Sequence, residues 1–216
     1  MDDLNIHINQ LRDDFTKRVL DESHVNQLPY LQFNLWLKEA IEAKVPEVQA
    51  MNLATVGPDN KPSSRILYLR EVETDHFYFY TNYHSKKAEE LKNNSNACLT
   101  FFWPELERQV RIEGVVSFAE PSKSSAYFNT RPFDSKIGAY ASKQSHPLTS
   151  RKELEDKIAE RKNKFTPENI SRPDFWGGFV LKANYYEFWQ GRKSRLHDRI
   201  IYKQENSNWN ISRLSP

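Results

Sequence analysis

The residues with the most chemical potential lie in one stretch, EFWQGRKSRLHDRIIYK, at 187–203. Arg192, Lys193, Arg195, Arg199 and Lys203 stand there against Glu187 and Asp198, five cations to two carboxylates, a local excess of +3. Strand side chains alternate between faces, so a strand here would project Arg195, His197 and Arg199 to one side. Two guanidiniums and an imidazole on one face repel one another unless water surrounds them or an anion lies among them. The plainer alternative is an edge strand kept basic against aggregation. A second cluster is Ser85-Lys86-Lys87 at a helix start. Ser85 suits the N-cap, but Lys86 and Lys87 then fall in the first turn, where the helix dipole disfavours cations by roughly 0.3–1 kcal/mol each. A phosphate at that helix end would reconcile them; the alternative is two lysines pointing into solvent. Arg65 and Arg70 close the two ends of RILYLR, five apart and so on opposite faces of a regular strand. The segment 127–145, YFNTRPFDSKIGAYASKQS, adds Tyr127, Arg131, Ser135, Gln144 and Ser145, donors suited to phosphate but also common in surface loops.

Other chemistries are excluded by count. The six glycines among 216 residues include no pair two apart, so neither G-x-G-x-x-G nor the nucleophile elbow G-x-S-x-G is possible, and no phosphate-loop spacing occurs. Six histidines form no H-E-x-x-H pair, and the single cysteine, Cys98, builds neither a disulfide nor a cysteine metal cluster; no metal is expected. One cysteine also points to a reducing compartment. Net charge is +2 and the isoelectric point 8.5, short of the value above about 9 that marks nucleic-acid binders. No apolar run approaches the ~18 residues of a membrane span, and MDDLNIHINQ lacks a signal-peptide core. The expectation is a soluble, cytoplasmic protein with no membrane or nucleic-acid partner.

Any phosphate here must therefore be held by side chains and helix ends. Aromatics are abundant, at 5 Trp, 10 Tyr and 13 Phe. Cationic clamps and stacking surfaces without a nucleophile imply that the chemistry belongs to a cofactor. A flavin mononucleotide (FMN), with one phosphate and a flat ring, needs no glycine-rich loop; a small phosphorylated substrate would account for a second anion site.

Positioning these residues requires mostly strands. Ala50–Val56 and Ser64–Leu69 flank the turn-forming run 57–61 and read as a hairpin. Further strands are predicted at His76–Thr81, Ala97–Trp103, Gln109–Phe118, Gly178–Leu181, Tyr185–Trp189, His197–Tyr202 and Trp209–Arg213. A helix after Pro29 presents Phe33, Trp36, Leu37, Ala40 and Ile41 as a core stripe. Helices are also predicted at Ser85–Asn93, Ser122–Phe128 and Ser150–Asn163, the last opening with the Ser150/Glu153 capping-box spacing. Residues 1–28 carry a short amphipathic signal at Ile8, Leu11, Phe15 and Leu20. The expected architecture is α+β, mainly β: an antiparallel barrel or sandwich with helical decoration, as one domain over 29–216.

FWGGF (175–179), EFWQGRKSRLHDR (187–199) and WNISRLSP (209–216) resemble the pyridoxamine 5′-phosphate oxidase family. So do RILYLR, FYTNYHSKKA (79–88), ERQVRIEG (107–114), the 127–145 segment and the Trp36 helix, in order over nearly the whole chain from about residue 30. The resemblance implies an FMN-binding split β-barrel, a homodimer with FMN at the subunit interface, and residues 1–28 as a mobile lid. It implies oxidation of pyridoxamine 5′-phosphate and pyridoxine 5′-phosphate to pyridoxal 5′-phosphate, with O2 as acceptor. On the FMN it places Arg65, Ile66, Leu67, Tyr68, Leu69, Arg70, Tyr80, Thr81, Lys86, Lys87, Gln109, Gln144, Ser145, Trp189 and Arg199. On the substrate it places Arg12, Arg70, Tyr127, Arg131 and Ser135, with Arg195 and His197 as the catalytic pair. Three positions depart from the family pattern: Arg70 stands where lysine is common, Lys86 where arginine is common, and Phe15 where a tyrosine is. A flavin reductase on the same fold and a non-enzymatic flavin or pyridoxal-phosphate carrier are the competing readings; the RLHDR string argues against the reductase.

Overall fold

The computed structural model describes residues 15–216. The start of the N-terminal amphipathic signal, Ile8 and Leu11, and the lid position Arg12 lie outside the described residues. In chain order the elements are α1 (Pro29–Glu42), β1 (Ala50–Val56), β2 (Pro62–Tyr68), β3 (Glu71–Glu73), β4 (His76–Asn82), α2 (Lys86–Asn93), β5 (Asn96–Trp103), β6 (Arg108–Phe118), α3 (Pro121–Thr130), α4 (Phe133–Ala141), α5 (Arg151–Lys164), β7 (Trp176–Gln190), β8 (Asp198–Glu205) and β9 (Asn208–Leu214). They form two compact units, through both of which β5, β6 and β7 run.

The larger unit comprises 49–99 and 113–184. Its strands follow the order β2-β1-β5-β6-β7-β4-β3. The predicted hairpin is present, β1 pairing antiparallel with β2 from Ala50↔Tyr68 to Val56↔Pro62. Asn60 in its turn adopts φ 58°, a left-handed conformation that asparagine tolerates. Alternation sets the core: Met51 and Leu53 of β1 and Phe77 and Phe79 of β4 are fully buried beside Leu99 and Leu181. A satellite core of Phe128, Ile137, Ile170 and Trp176 holds α3, α4 and α5 together. Ser150 caps α5 as expected, its Oγ accepting from the Glu153 N–H at 3.2 Å; Glu153 reaches back to the Thr149 N–H instead of that of Ser150. Ser85 occupies the N-cap of α2, but its hydroxyl donates to the Asn82 carbonyl and caps nothing. Helix α4 was not expected. Only Ile137 and Ala141 of it are buried, too few to show a period.

The smaller unit comprises the described residues up to Val48, 100–112 and 185–216. Phe33 of α1 lies 5.1 Å from Phe101, and Trp36 meets Phe188 edge-on at 5.2 Å. Ile41, expected in this stripe, is exposed. β7, β8 and β9 form an antiparallel meander. Two of the expected strands differ in the structure. Gly178–Leu181 and Tyr185–Trp189 belong to one continuous 15-residue strand. The strand predicted from His197 begins at Asp198, and Arg195 sits before it in a 3-10 turn, Lys193–Arg195, with φ of 55° at Ser194 and 61° at Arg195. Arg195, His197 and Arg199 are therefore not alternating residues on one strand face. No helix among the described residues is long and apolar enough to cross a membrane.

Candidate active site

In the larger unit, the register Tyr80↔Gly178 across β4 and β7 sets an aromatic wall. A Cβ on Gly178 would stand 2.8 Å from Tyr80 Cε1, so only glycine there lets the ring lie against the strand. Tyr80 stacks on Tyr127 of α3 at 3.9 Å and on Trp176 at 5.8 Å, the rings within 18° of parallel. Beside this wall opens a cavity of about 860 Å³. Ile66, Leu67 and Tyr68 from the end of β2 and Arg70 just after it line it, with Thr81, Arg131, Ser135 and Gln144. All of these are expected from the sequence; Trp176, within the FWGGF run, also lines the cavity and is not among the expected site residues.

Two guanidiniums face this cavity. Arg70 lies 5.8 Å from the Tyr127 ring centre and 5.1 Å from that of Tyr68. Arg131 lies 4.5 Å from the ring centre of Trp176, and its Nη1 is buried without a hydrogen-bond partner. Burial, and the charge of Arg70, hold Arg131 below the ordinary guanidinium value, against the pull of Tyr127. No carboxylate lines the cavity among the described residues. Converging cations with an orphaned donor and no counter-charge are the signature of an anion site.

Lys87 resolves the helix-start question. It is buried, not solvated, and its Nζ donates to Thr81 Oγ1 at 3.2 Å and Gln144 Oε1 at 3.1 Å, both on the cavity wall. Burial first, then the Arg65 charge, push its ammonium down to about 8. Lys86 is exposed and pairs with Glu90 at 3.7 Å. Lys86 and Ser145 line a different cavity of about 810 Å³, with Lys143 and Arg161. Arg65 does not line the first cavity. Its guanidinium is bonded to Thr55, Ser63 and the buried Glu90, which sequence reasoning missed; the only signal was a helical glutamate four residues after Lys86. Leu69 is buried.

In the smaller unit, His197 lies 4.5 Å from Trp189, and Phe15 meets both rings edge-on. The Arg192 N–H donates to His197 Nδ1 at 3.1 Å, which places the neutral ring's proton on Nε2. Burial and the Arg195 charge hold His197 below its ordinary value, with Asp198 opposing them. Arg199 is committed to the buried Glu187, its Nε donating at 2.7 Å, while Arg111 donates to the other oxygen at 2.9 Å. The two guanidiniums outweigh burial and keep Glu187 below the ordinary carboxylate value. Gln109 is half-buried on β6, and Arg195 is exposed.

A family model described as pyridoxamine 5′-phosphate oxidase matches residues 37–165, and one described as the pyridoxine 5′-phosphate oxidase C-terminal dimerisation region matches 176–216. The chain belongs to the pyridoxamine 5′-phosphate oxidase family. Curated members similar to it include the pyridoxine/pyridoxamine 5′-phosphate oxidases of Cytophaga hutchinsonii and Haemophilus influenzae. The first is 49% identical over 216 residues, covering 99% of this chain and all of that one; the second is 48% identical over 211, covering 98% and all. Among solved structures, PhzG from Burkholderia lata, in complex with tetrahydrophenazine-1-carboxylic acid, superposes with a TM-score of 0.85 at 28% identity. It covers 92% of this chain and 98% of its own. A pyridoxamine 5′-phosphate oxidase-related, FMN-binding protein from Nostoc punctiforme shares the fold at TM-score 0.70 and 16% identity, over 89% of this chain and all of that one. The α+β expectation thus resolves to the split barrel of this family.

Proposed function

We propose that this chain is an FMN-dependent oxidase of phosphorylated B6 vitamers. Pyridoxamine 5′-phosphate, O2 and water give pyridoxal 5′-phosphate, ammonia and H2O2; pyridoxine 5′-phosphate and O2 give pyridoxal 5′-phosphate and H2O2. The observation that carries this reading is the cavity, free of carboxylates among the described residues, in which Arg70 and Arg131 converge beside stacked Tyr80, Tyr127 and Trp176. The orphaned Nη1 of Arg131 fits a phosphorylated ligand. Near-50% identity over whole curated oxidases supports the substrate assignment.

Within this proposal Arg70, Tyr127, Arg131 and Ser135 hold the vitamin phosphate. Thr81, Lys87 and Gln144 form the polar cradle for FMN, with the backbone at 65–70 and Tyr80 beside it. The family resemblance adds Arg65, Lys86, Gln109, Ser145, Trp189 and Arg199 on the cofactor side, and Arg12, Arg195 and His197 at the vitamin. Bound FMN supplies the two-electron acceptor that O2 regenerates. Arg195 would orient the substrate and stabilise charge developing on it, and no side chain need act as a nucleophile. A homodimer is the functional form, supported by the dimerisation-region match over 176–216. A cytoplasmic setting accords with the single cysteine.

The test is direct. Purified protein loaded with FMN should bind one flavin per subunit and convert pyridoxamine 5′-phosphate to pyridoxal 5′-phosphate with stoichiometric peroxide. Flavin binding without turnover would turn the reading toward a carrier, and flavin reduction by a reduced nicotinamide dinucleotide in place of the vitamer toward a reductase.

A further inference from the structure

Between Gly191 and β8 the chain makes a costly turn. Ser194 and Arg195 are consecutive non-glycine residues at positive φ, a conformation that persists only where its surroundings hold it. What brackets this turn is an ion pair. Arg192 Nη1, before it, donates to Asp198 Oδ2, after it, at 2.8 Å. The Arg192 backbone N–H meanwhile fixes His197 through Nδ1. Asp198 has two further partners. Its Oδ2 also accepts from the Leu20 N–H at 3.1 Å, and its Oδ1 from Arg213 Nη1 at 2.8 Å. Arg213 in turn grips the Leu20 carbonyl and the Glu22 carboxylate. Five residues upstream of Leu20, Phe15 lies against Gly191, where a Cβ would come within 2.6 Å of its ring, and packs on His197 and Trp189.

We infer that Asp198 is a positioning residue: through Arg192 it clasps the strained turn that presents Arg195 and His197, and through Leu20 and Arg213 it seats the N-terminal segment on the same turn. The inference rests on the proposed role of Arg195 and His197 at the vitamin. Asp198 touches neither substrate nor cofactor in this reading, so its removal should act through the turn. Arg195 and Asp198 are the charged side chains that bear on the His197 ring, the first lowering and the second raising its affinity for a proton.

The experiment is a double-mutant cycle with Asp198→Asn, Arg192→Met and both, in the FMN-loaded full chain. Each single variant should raise KM for pyridoxamine 5′-phosphate about tenfold, the scale of a lost charge-assisted hydrogen bond. The double variant should be no worse than the worse single, and flavin retention should match the parent. Two readouts do not depend on turnover. By NMR, Asp198→Asn should lower the titration midpoint of His197 while Arg192→Met shifts it less, and the Leu20 amide should exchange with solvent faster in Asp198→Asn only. Additive kinetic losses, flavin loss in parallel, or unchanged Leu20 exchange and His197 titration would overturn the clasp. If the parent itself fails to oxidise the vitamer, the proposed function falls, and the two NMR readouts still decide the role of Asp198.

Discussion

The guanidinium of Arg131 lies over the indole of Trp176, 4.5 Å from the ring centre, with one of its nitrogens buried and unpartnered. The indole face offsets part of the cost of holding a cation in a half-dry place. The unmet donor leaves the remaining cost for a ligand to offset. Replacing Arg131 with Met should therefore weaken pyridoxamine 5′-phosphate binding ten- to a hundredfold, about 1.5–3 kcal/mol, while leaving the flavin in place. Steady-state KM alongside flavin fluorescence measures both.

Lys87, in the proposed flavin cradle, should make flavin affinity depend on alkaline pH. Its ammonium titrates near 8, and a phosphate monoester is already a dianion there, so the lysine alone changes charge. Affinity for FMN should fall as pH rises through about 8, and bound phosphate should in turn raise the lysine's pKa. Lys87→Met should bind FMN ten- to a hundredfold more weakly at pH 7, about 1.5–3 kcal/mol, and lose the pH dependence. Flavin titrations from pH 7 to 9.5 check it; a flat parent profile would show that Lys87 does not meet the phosphate.

Arg195 and Arg199 should separate in function. Arg199 is tied to Glu187 and the Ser215 carbonyl, whereas Arg195 stands exposed on its turn. Arg195→Leu should keep FMN but lose substrate affinity and turnover; Arg199→Leu should mainly release flavin. Removing the Arg195 charge should also raise the His197 titration toward its ordinary 6.5, which proton NMR reads independently.

Glu90 is a stability residue. Its buried carboxylate accepts from Thr55, Ser63 and Arg65, and these bonds outweigh burial to hold it below its ordinary value of 4.5. Glu90→Gln leaves Arg65 without its counter-charge. The loss should fall at the lower end of ~3–5 kcal/mol, because the Arg65 side chain keeps 20% of its exposure. A carboxylate whose pKa is lowered on folding stabilises above its unfolded value and ceases to as pH falls through the folded one. The gap between parent and variant in urea midpoint should therefore be full at pH 7 and close below pH 4.5.

Much of this was legible in the chain itself. Alternating apolar residues in β1 and β4, the turn run at 57–61 and the Ser150 cap are local signals, and the elements they predict are present. The absence of glycine-rich and metal-binding motifs is likewise a matter of spacing, and the long matches to one family carry its membership. Tertiary structure decided which cations are free. Arg65, Lys87 and Arg199 look alike in sequence, yet one is neutralised by Glu90, one is buried behind Thr81 and Gln144, and one is locked to Glu187. Their partners lie 25, 57 and 12 residues away. The left-handed turn at Ser194 and Arg195 was equally invisible, since neither residue favours that conformation by itself. Local propensity sees only neighbours along the chain, whereas charge pairing, burial and enforced strain depend on contacts that exist only once the chain has folded.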